Sequence, residues 1–239
     1  WMELPYDFQR PGVYSFEGRT VRFEIPGEWT AGLKTLAAES NGTLFMVLLG
    51  VFQVMLARLS GQEDIVTGTP VSGRTHDDIK EVVGMFVNTL ALRHHVERKT
   101  SFRRFLVQLT RDVTGAFENQ DYPFEMLVDR VPVARDTGRN PLFDTMFVFQ
   151  NLETVTGEVP GLKVSPCFYD NRTAQFDLTL TAVESEERLY FRLNYSTVLF
   201  RESTILRFID IFRRILESVI DTPSIAVGDI DILSSIDRE

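Results

Sequence analysis

The chain has 239 residues, enough for one large domain or two small ones, and its 44% hydrophobic and 25% charged content suits a globular core. A formal net charge of −9 excludes a general nucleic-acid surface, which would need a stripe of Lys and Arg. The lone cysteine, Cys167, excludes an internal disulfide framework and fits a reducing, cytoplasmic setting.

Residues 1–18 are expected to form an irregular arm, turn-rich and without periodicity, with Pro5 and Pro11 blocking regular ladders. The opening at Trp1 carries no basic, apolar and small-residue leader pattern and points to a cut fragment or processed product. Over 20–25, Val21, Phe23 and Ile25 alternate with Arg22 and Glu24, the period of a half-buried strand. A helix over 29–39 should stop at Asn41-Gly42. Thr43 then caps a second helix over 44–59, ended by Gly61. This segment is apolar almost all round, interrupted by Gly50, Gln53, Ala57 and Arg58. It falls short of the roughly 20 apolar residues that cross a bilayer, so it is expected in the core and not in a membrane.

A buried strand is expected over 64–69 and another over 90–96. Residues 101–117 place Phe102, Phe105, Leu106, Leu109, Val113 and Phe117 on one helical stripe. A short helix over 124–131 has Pro123 suited to its first turn. The remainder turns strand-rich, over 144–151, 162–169, 176–184 and 189–195, with Glu186-Glu187-Arg188 as a hairpin tip between the last two. A closing helix over 203–220 presents Leu206, Ile209, Phe212, Leu216 and Val219 to the core. From Asp221 onward the chain reads as a linker, 221–239. Strands and helices interleave without a steady βαβα rhythm, which gives a mixed-sheet α/β class.

No self-contained chemistry emerges from residue types alone. His76, His94 and His95 with one remote cysteine make a poor metal set, because adjacent strand residues point to opposite faces; no metal site is expected. One histidine of the pair should be buried and the other solvated. The 68–74 loop lacks the lysine and spacing of a phosphate loop, and Gly-x-Ser-x-Gly is absent. Cys167, in an expected strand without a histidine partner, reads as an inert thiol.

Three sequence islands carry more. Val83-Gly84-Met85-Phe86-Val87-Asn88-Thr89, followed by Arg93, departs from the pattern Ile-Gly-x-Phe-Val-Asn-Thr only at Val83. Asn119-Gln120-Asp121-Tyr122-Pro123-Phe124-Glu125 matches in full, and Arg135 to Leu142 differs only at Gly138, where serine is frequent. Asp64-Ile65-Val66-x-Gly68-Thr69-Pro70 precedes them, and Gln175-Phe176-Asp177-Leu178-Thr179-Leu180 follows. In this order they resemble the condensation domains of nonribosomal peptide synthetases, over nearly the whole chain. The family's catalytic His-His-x-x-x-Asp-Gly is missing: after His94-His95, Lys99 and Thr100 stand where Asp and Gly belong.

The resemblance implies one lobe of a chloramphenicol-acetyltransferase-like (CoA-dependent acyltransferase) fold, a mixed-sheet α/β sandwich. Two such lobes form a V around a tunnel, and donor and acceptor carrier proteins insert phosphopantetheine arms from opposite sides. The second histidine of the missing motif positions or deprotonates the acceptor amine. This chain would be the C-terminal lobe, 19–220, supplying a tunnel wall, a latch and a floor loop, without a catalytic residue or bound cofactor of its own. Its implied partners are the N-terminal lobe, donor and acceptor carrier proteins that supply the phosphopantetheine, and an adenylation domain beyond the linker. The products of such synthetases are antibiotics and other secondary metabolites.

Several residues carry two readings each. Gly84, Phe86, Asn88 and Thr89 are candidates for contact with the pantetheine arm, or else satisfy backbone groups at a strand edge. Asp177 either faces the tunnel as a substrate contact or belongs to an ordered polar wall. Arg74 either pairs with the motif aspartate across the lobe interface or is a solvated loop arginine. Arg103, Arg104 and Arg111 are candidates for carrier docking, or a solvated helix face. Alternatives to the enzyme-fragment reading are a carrier-docking module and a lobe of an epimerization domain, whose motifs differ from those found here.

Overall fold

Alternating burial along the strand segments builds one sheet, with the four longer helices packed together on one face. The computed structural model describes residues 2–74, 76–132, 136–151, 162, 172–185 and 187–232. The strands are β1 (Gly18–Glu24), β2 (Asp64–Val71), β3 (Asn88–His95), β4 (Thr145–Asn151), β5 (Leu178–Ser185) and β6 (Arg188–Ser196), in the order β1-β6-β5-β4-β2-β3. The β2–β4 and β4–β5 pairings are parallel and the others antiparallel, so the sheet is mixed as expected. In β5, Leu178, Leu180 and Ala182 are buried, while Thr179 and Thr181 look the other way. The same period-two pattern puts Phe191, Leu193 and Tyr195 of β6 under the helices.

The helices are α1 (Gly27–Glu39), α2 (Leu44–Ser60), α3 (Phe102–Glu118), α4 (Phe124–Arg130) and α5 (Glu202–Asp221). Helix α2 lies centrally, packed by α1, α3, α5 and the sheet, which is why its sequence is apolar on every side. The Thr43 hydroxyl accepts from the Met46 N–H at 3.4 Å, and Gly61 ends the helix in the left-handed region. Gln53, the polar exception, donates to Thr67 Oγ1 and to the Leu92 carbonyl at 3.4 Å each, tying α2 to the sheet. Helix α1 ends in a Schellman motif: Asn41 takes the left-handed position, and the Gly42 N–H reaches the Ala37 carbonyl at 2.9 Å. Among the described residues no single helix is long and apolar enough to cross a membrane.

Three sequence expectations change. Leu206 is 52% exposed. The buried stripe of α5 is Ile205, Phe208, Ile209, Phe212, Leu216 and Val219, and Leu206 lies roughly a sixth of a turn beyond its edge. Within the expected arm, residues 2–17 are irregular but docked: Met2 and Leu4 are buried, and the Asp7 carboxylate accepts from the Arg201 N–H (2.7 Å) and the Thr204 hydroxyl (3.0 Å) at the start of α5. Residues 222–232 pack on the same folded unit. The Phe102 N–H donates to the Ile225 carbonyl and the Val227 N–H to that of Thr100, both at 2.9 Å, and Val227 and Ile230 are buried. Of the strand expected over 162–169, residues 163–169 with Cys167 lie outside the described residues, as does Glu186 at the hairpin tip.

Candidate functional site

The face of the sheet turned away from the helices is open and polar. Thr20 and Arg22 of β1, Arg192 and Asn194 of β6, and Thr179 and Thr181 of β5 line a trough of about 580 Å³, walled on one side by Met146, Val148 and Phe176. Register sets this surface, since Thr20 pairs with Asn194 and Arg22 with Arg192, so both pairs leave the sheet on the same side. Arg192 Nη2 donates to Gln150 Oε1 at 3.1 Å. The Asn194 amide donates to Thr20 Oγ1 (3.2 Å) and to the Thr173 carbonyl (2.9 Å). Beyond the trough an aromatic row of Phe176, Phe143 and Phe124 has ring centroids 5.6 Å apart at each step. Phe143 lies on Gly68, where any Cβ would enter its ring.

The loop between β2 and β3 forms an apolar rim. Gly73 has φ of +59° and abuts the Phe86 carbonyl, so neither a side chain nor an ordinary backbone conformation fits there. Arg74 gathers the loop from inside. Its guanidinium donates to the carbonyls of Ile79, Lys80 (3.2 Å), Val82 (2.9 Å) and Gly84 (3.3 Å), and it lies over the Phe86 ring at 4.4 Å. The loop turns Val83, 99% exposed, and Met85, 90% exposed, outward beside the exposed charges of Asp77, Asp78, Lys80 and Glu81.

A buried charge network sits at one end of the sheet. Arg10 donates to Asp177 through both terminal nitrogens, Nη1 to Oδ1 at 3.0 Å, and Nη2 also reaches the Tyr6 hydroxyl at 2.8 Å. Tyr6 donates to Asp177 Oδ2 at 2.9 Å. Arg139 bonds Asp144 at 2.9 Å and Glu3 at 2.8 Å. Burial, reinforced by the charge of Asp177, raises the Asp144 carboxyl to about 6 against the pull of Arg10 and Arg139. Burial would lower Arg10, but the hydrogen bonds and charge of Asp177 hold it above its ordinary value.

A profile of the condensation domain matches residues 1–239. The chain belongs to the condensation-domain family. It is 44% identical to tyrocidine synthase 3 of Brevibacillus parabrevis over 238 residues, all of this chain and 4% of that protein. It is 41% identical to bacitracin synthase 3 of Bacillus licheniformis over 237 residues, 99% of this chain and again 4% of that protein. The chain thus spans a small part of the curated relatives it matches. A four-domain nonribosomal peptide synthetase bound to AMP and glycine superposes with a TM-score of 0.88 at 25% identity, over 98% of this chain and 19% of that one. The X-domain from teicoplanin biosynthesis superposes with a TM-score of 0.87 at 21% identity, over 97% of this chain and 53% of that one. The expected chloramphenicol-acetyltransferase-like architecture is therefore the one found.

Within this condensation-domain chain the sequence-derived candidates separate. Gly84 and Phe86 share the apolar rim with Arg74. Arg74 is half-buried, and its guanidinium donates to the loop's own carbonyls. Asn88 is likewise occupied: its amide donates to the Gln120 and Tyr122 carbonyls at 2.8 Å and accepts from the Phe124 N–H at 3.1 Å, fixing the turn into α4. Thr89, its neighbour, faces the open side opposite Pro70. Asp177 is a buried partner of Arg10, with 1% of its side chain exposed. On α3, Arg103 is held to Glu39 at 2.8 Å, whereas Arg104 and Arg111 are exposed on one face beside Val107. His94 is buried against Phe105 and held down at about 4 by burial, while His95 is exposed 3.5 Å from Glu63. Arg135 lies outside the described residues.

Sequence reasoning missed Tyr6, Arg10, Arg139 and Asp144 as a unit, and Arg22 with Arg192 as a pair. Polar side chains within the proline-bounded arm were the only local hint of the first. Nothing local signalled the second.

Proposed function

We propose that this chain is the C-terminal lobe of an amide-forming condensation domain. The reading is carried by one observation: the family match fills the chain, yet the chain fills only about half of isolated relatives, 53% of the teicoplanin X-domain and 50% of the first condensation domain of the calcium-dependent antibiotic synthetase. An N-terminal lobe bearing His-His-x-x-x-Asp-Gly completes the enzyme. In the assembled tunnel the acceptor amine attacks the donor thioester carbonyl, a C–N bond forms, and the C–S bond breaks to leave the donor carrier's thiol. The motif's second histidine positions the amine or takes its proton. This lobe contributes position: its polar sheet face forms one wall, with Thr89, Gly84 and Phe86 near the mouth of the β2–β3 loop.

Val83 and Met85 form a surface for the N-terminal lobe to cover, since exposed apolar clusters of this kind mark interfaces. Arg104, Val107 and Arg111 offer basic and apolar contacts to acidic carrier proteins. This α3 face also supports the second reading, a carrier-docking module. The adjacent adenylation domain and a cytoplasmic setting follow from the same assignment.

The test is a condensation assay with two aminoacyl-loaded carrier proteins, read by mass spectrometry of the dipeptidyl product. It is run with the chain alone and with a separately expressed N-terminal lobe. Product in the complemented reaction alone supports the proposal. Equal product from the chain alone refutes it and turns attention to His94 and His95. The missing general base alone is worth about 10²–10⁴ in rate.

A further inference from the structure

The strands are not paired evenly. β1–β6, β5–β6, β4–β5 and β2–β3 are each ladders of seven or eight consecutive register pairs, but β2 meets β4 at one pair, Gly68 with Met146. Two residues past Gly68, Pro70 has no N–H with which to continue such a ladder. The sheet therefore falls into two bodies, β1-β6-β5-β4 and the β2–β3 hairpin. The hairpin carries the 72–87 loop, and the Asn88 side chain ties it to the turn into α4 at 2.8 and 3.1 Å.

The two faces of this seam are fastened differently. On the helix side α2 packs on both β2 and β4. Gln53 bonds there to Thr67 and to the Leu92 carbonyl, both on the hairpin, at a long 3.4 Å. Its Oε1, and Thr145 Oγ1 at the start of β4, are buried with no hydrogen-bond partner among the described residues. Buried polar groups are ordinarily satisfied, and a partly satisfied set ties a seam weakly. On the far face the fastening is apolar. Phe143, which precedes β4, lies over Gly68 of β2 and packs on Phe124 of α4 with ring centroids 5.6 Å apart. The same ring stacks on Phe176, ahead of β5, also at 5.6 Å. One side chain thus joins the two bodies across the open face.

We propose that the β2–β4 seam is a hinge, on which the β2–β3 hairpin with its loop and α4 swings away from the four-stranded body, and that Phe143 is its clasp. Helix α2 is the pivot, so the helix-side core stays in contact as the far face opens. A seam with one register pair opens more readily than the long ladders on either side of it. The swing carries Gly84, Phe86 and Thr89 relative to the trough. Only its use, widening the tunnel mouth for a pantetheine arm, rests on the condensation reading.

The experiment measures distances between spin labels in the 239-residue chain by pulsed electron resonance, with Cys167→Ser so that labels attach only at introduced cysteines. His95→Cys with Tyr190→Cys spans the seam; Arg19→Cys with Tyr190→Cys lies within the four-stranded body and is the control. Minor states of this kind hold about 0.1–10% of molecules, so the parent should show one dominant distance for each pair. Phe143→Leu removes the ring contacts while keeping an apolar side chain, and should raise a second, longer cross-seam distance about tenfold or more. Phe124→Leu, on the half-buried face of α4, should do the same more weakly and leaves the sheet interior untouched. The control distance should stay single throughout. The proposal is overturned if the cross-seam distance stays single in both variants, or if both pairs broaden alike, which marks general loosening and not a hinge. No N-terminal lobe or carrier protein takes part, so a failed condensation assay and a failed distance measurement point to different errors.

Discussion

Replacing Arg10 with Met should destabilise this chain more than almost any other single change at a charged position. The substitution keeps the apolar stem and removes the guanidinium, which is 13% exposed and satisfies an Asp177 carboxylate that is 1% exposed. Breaking a buried pair by removing one partner costs about 3–5 kcal/mol, because the remaining charge is left uncompensated. The loss is compounded at Tyr6, whose hydroxyl bonds to both groups, and at the Gly138 carbonyl, which accepts from Arg10 at 3.2 Å. At this chain length the cost corresponds to a fall in Tm of roughly 6–20 °C. Asp177→Asn removes the charge but keeps an acceptor, and should cost about 1.5–3 kcal/mol. The double variant leaves no orphaned ion and should be no less stable than Arg10→Met alone. Guanidinium chloride unfolding, followed by Trp29 fluorescence and far-UV circular dichroism, measures all three. Additive effects within about 0.5 kcal/mol, the behaviour of independent sites, would refute the coupling on which this reasoning rests.

Four further outcomes follow from the geometry. His94 sits at about 4 when folded, so the unfolded chain takes up that proton first and stability falls as pH drops from about 6.5 towards 4. Asp144, raised to about 6, acts in the opposite sense, its contribution being lost as pH rises from about 4 to 6. His94→Gln should therefore lose less stability than the parent between pH 6.5 and 4.5 in urea titrations, and parallel curves would contradict this. Gly68→Ala drives a methyl into the Phe143 ring and should cost about 1–3 kcal/mol; an unchanged denaturation midpoint would show that the ring yields freely. Asn88→Ala strands two carbonyls and one N–H at the turn into α4, worth about 1–3 kcal/mol, with hydrogen exchange rising first at Phe124. Sedimentation at high concentration should show self-association through the Val83 and Met85 rim, reduced by Val83→Glu with Met85→Glu; a strictly monomeric parent would count against that surface.

What could be read from the sequence was what the backbone repeats. The alternation of β5 and β6 and the apolar wrap of α2 depend on local period, and each element appeared within a few residues of its expected place. Leu206 was misjudged because spacings of three and four can be counted outward from either edge of a helical stripe. The arm and the tail passed for linkers because their anchors are single residues, Leu4, Asp7, Val227 and Ile230, with no period to betray them. Asp177 lies beside strand β5 with apolar neighbours, and nothing near it in the chain announces that its partner is Arg10. The family motifs located the β2–β3 loop correctly, but Asn88 and Arg74 turned out to spend their hydrogen bonds on nearby backbone. The facing of Arg22 and Arg192 is a fact of register between strands at opposite ends of the chain, and only the assembled sheet displays it.

The docked arm also sets a timetable for synthesis. Tyr6 and Arg10 leave the ribosome well ahead of their partner Asp177, which is 171 and 167 positions later. β1 waits longer still, because among the described strands its sheet neighbour is β6. At about 5–20 residues per second, this separation is a delay of roughly 10–30 s. During that interval α2 has been made, but the strands β4, β5 and β6 that cover it are not yet complete. The sheet therefore closes from its end back to its beginning, and its most apolar helix must be kept from other chains until the last strand arrives.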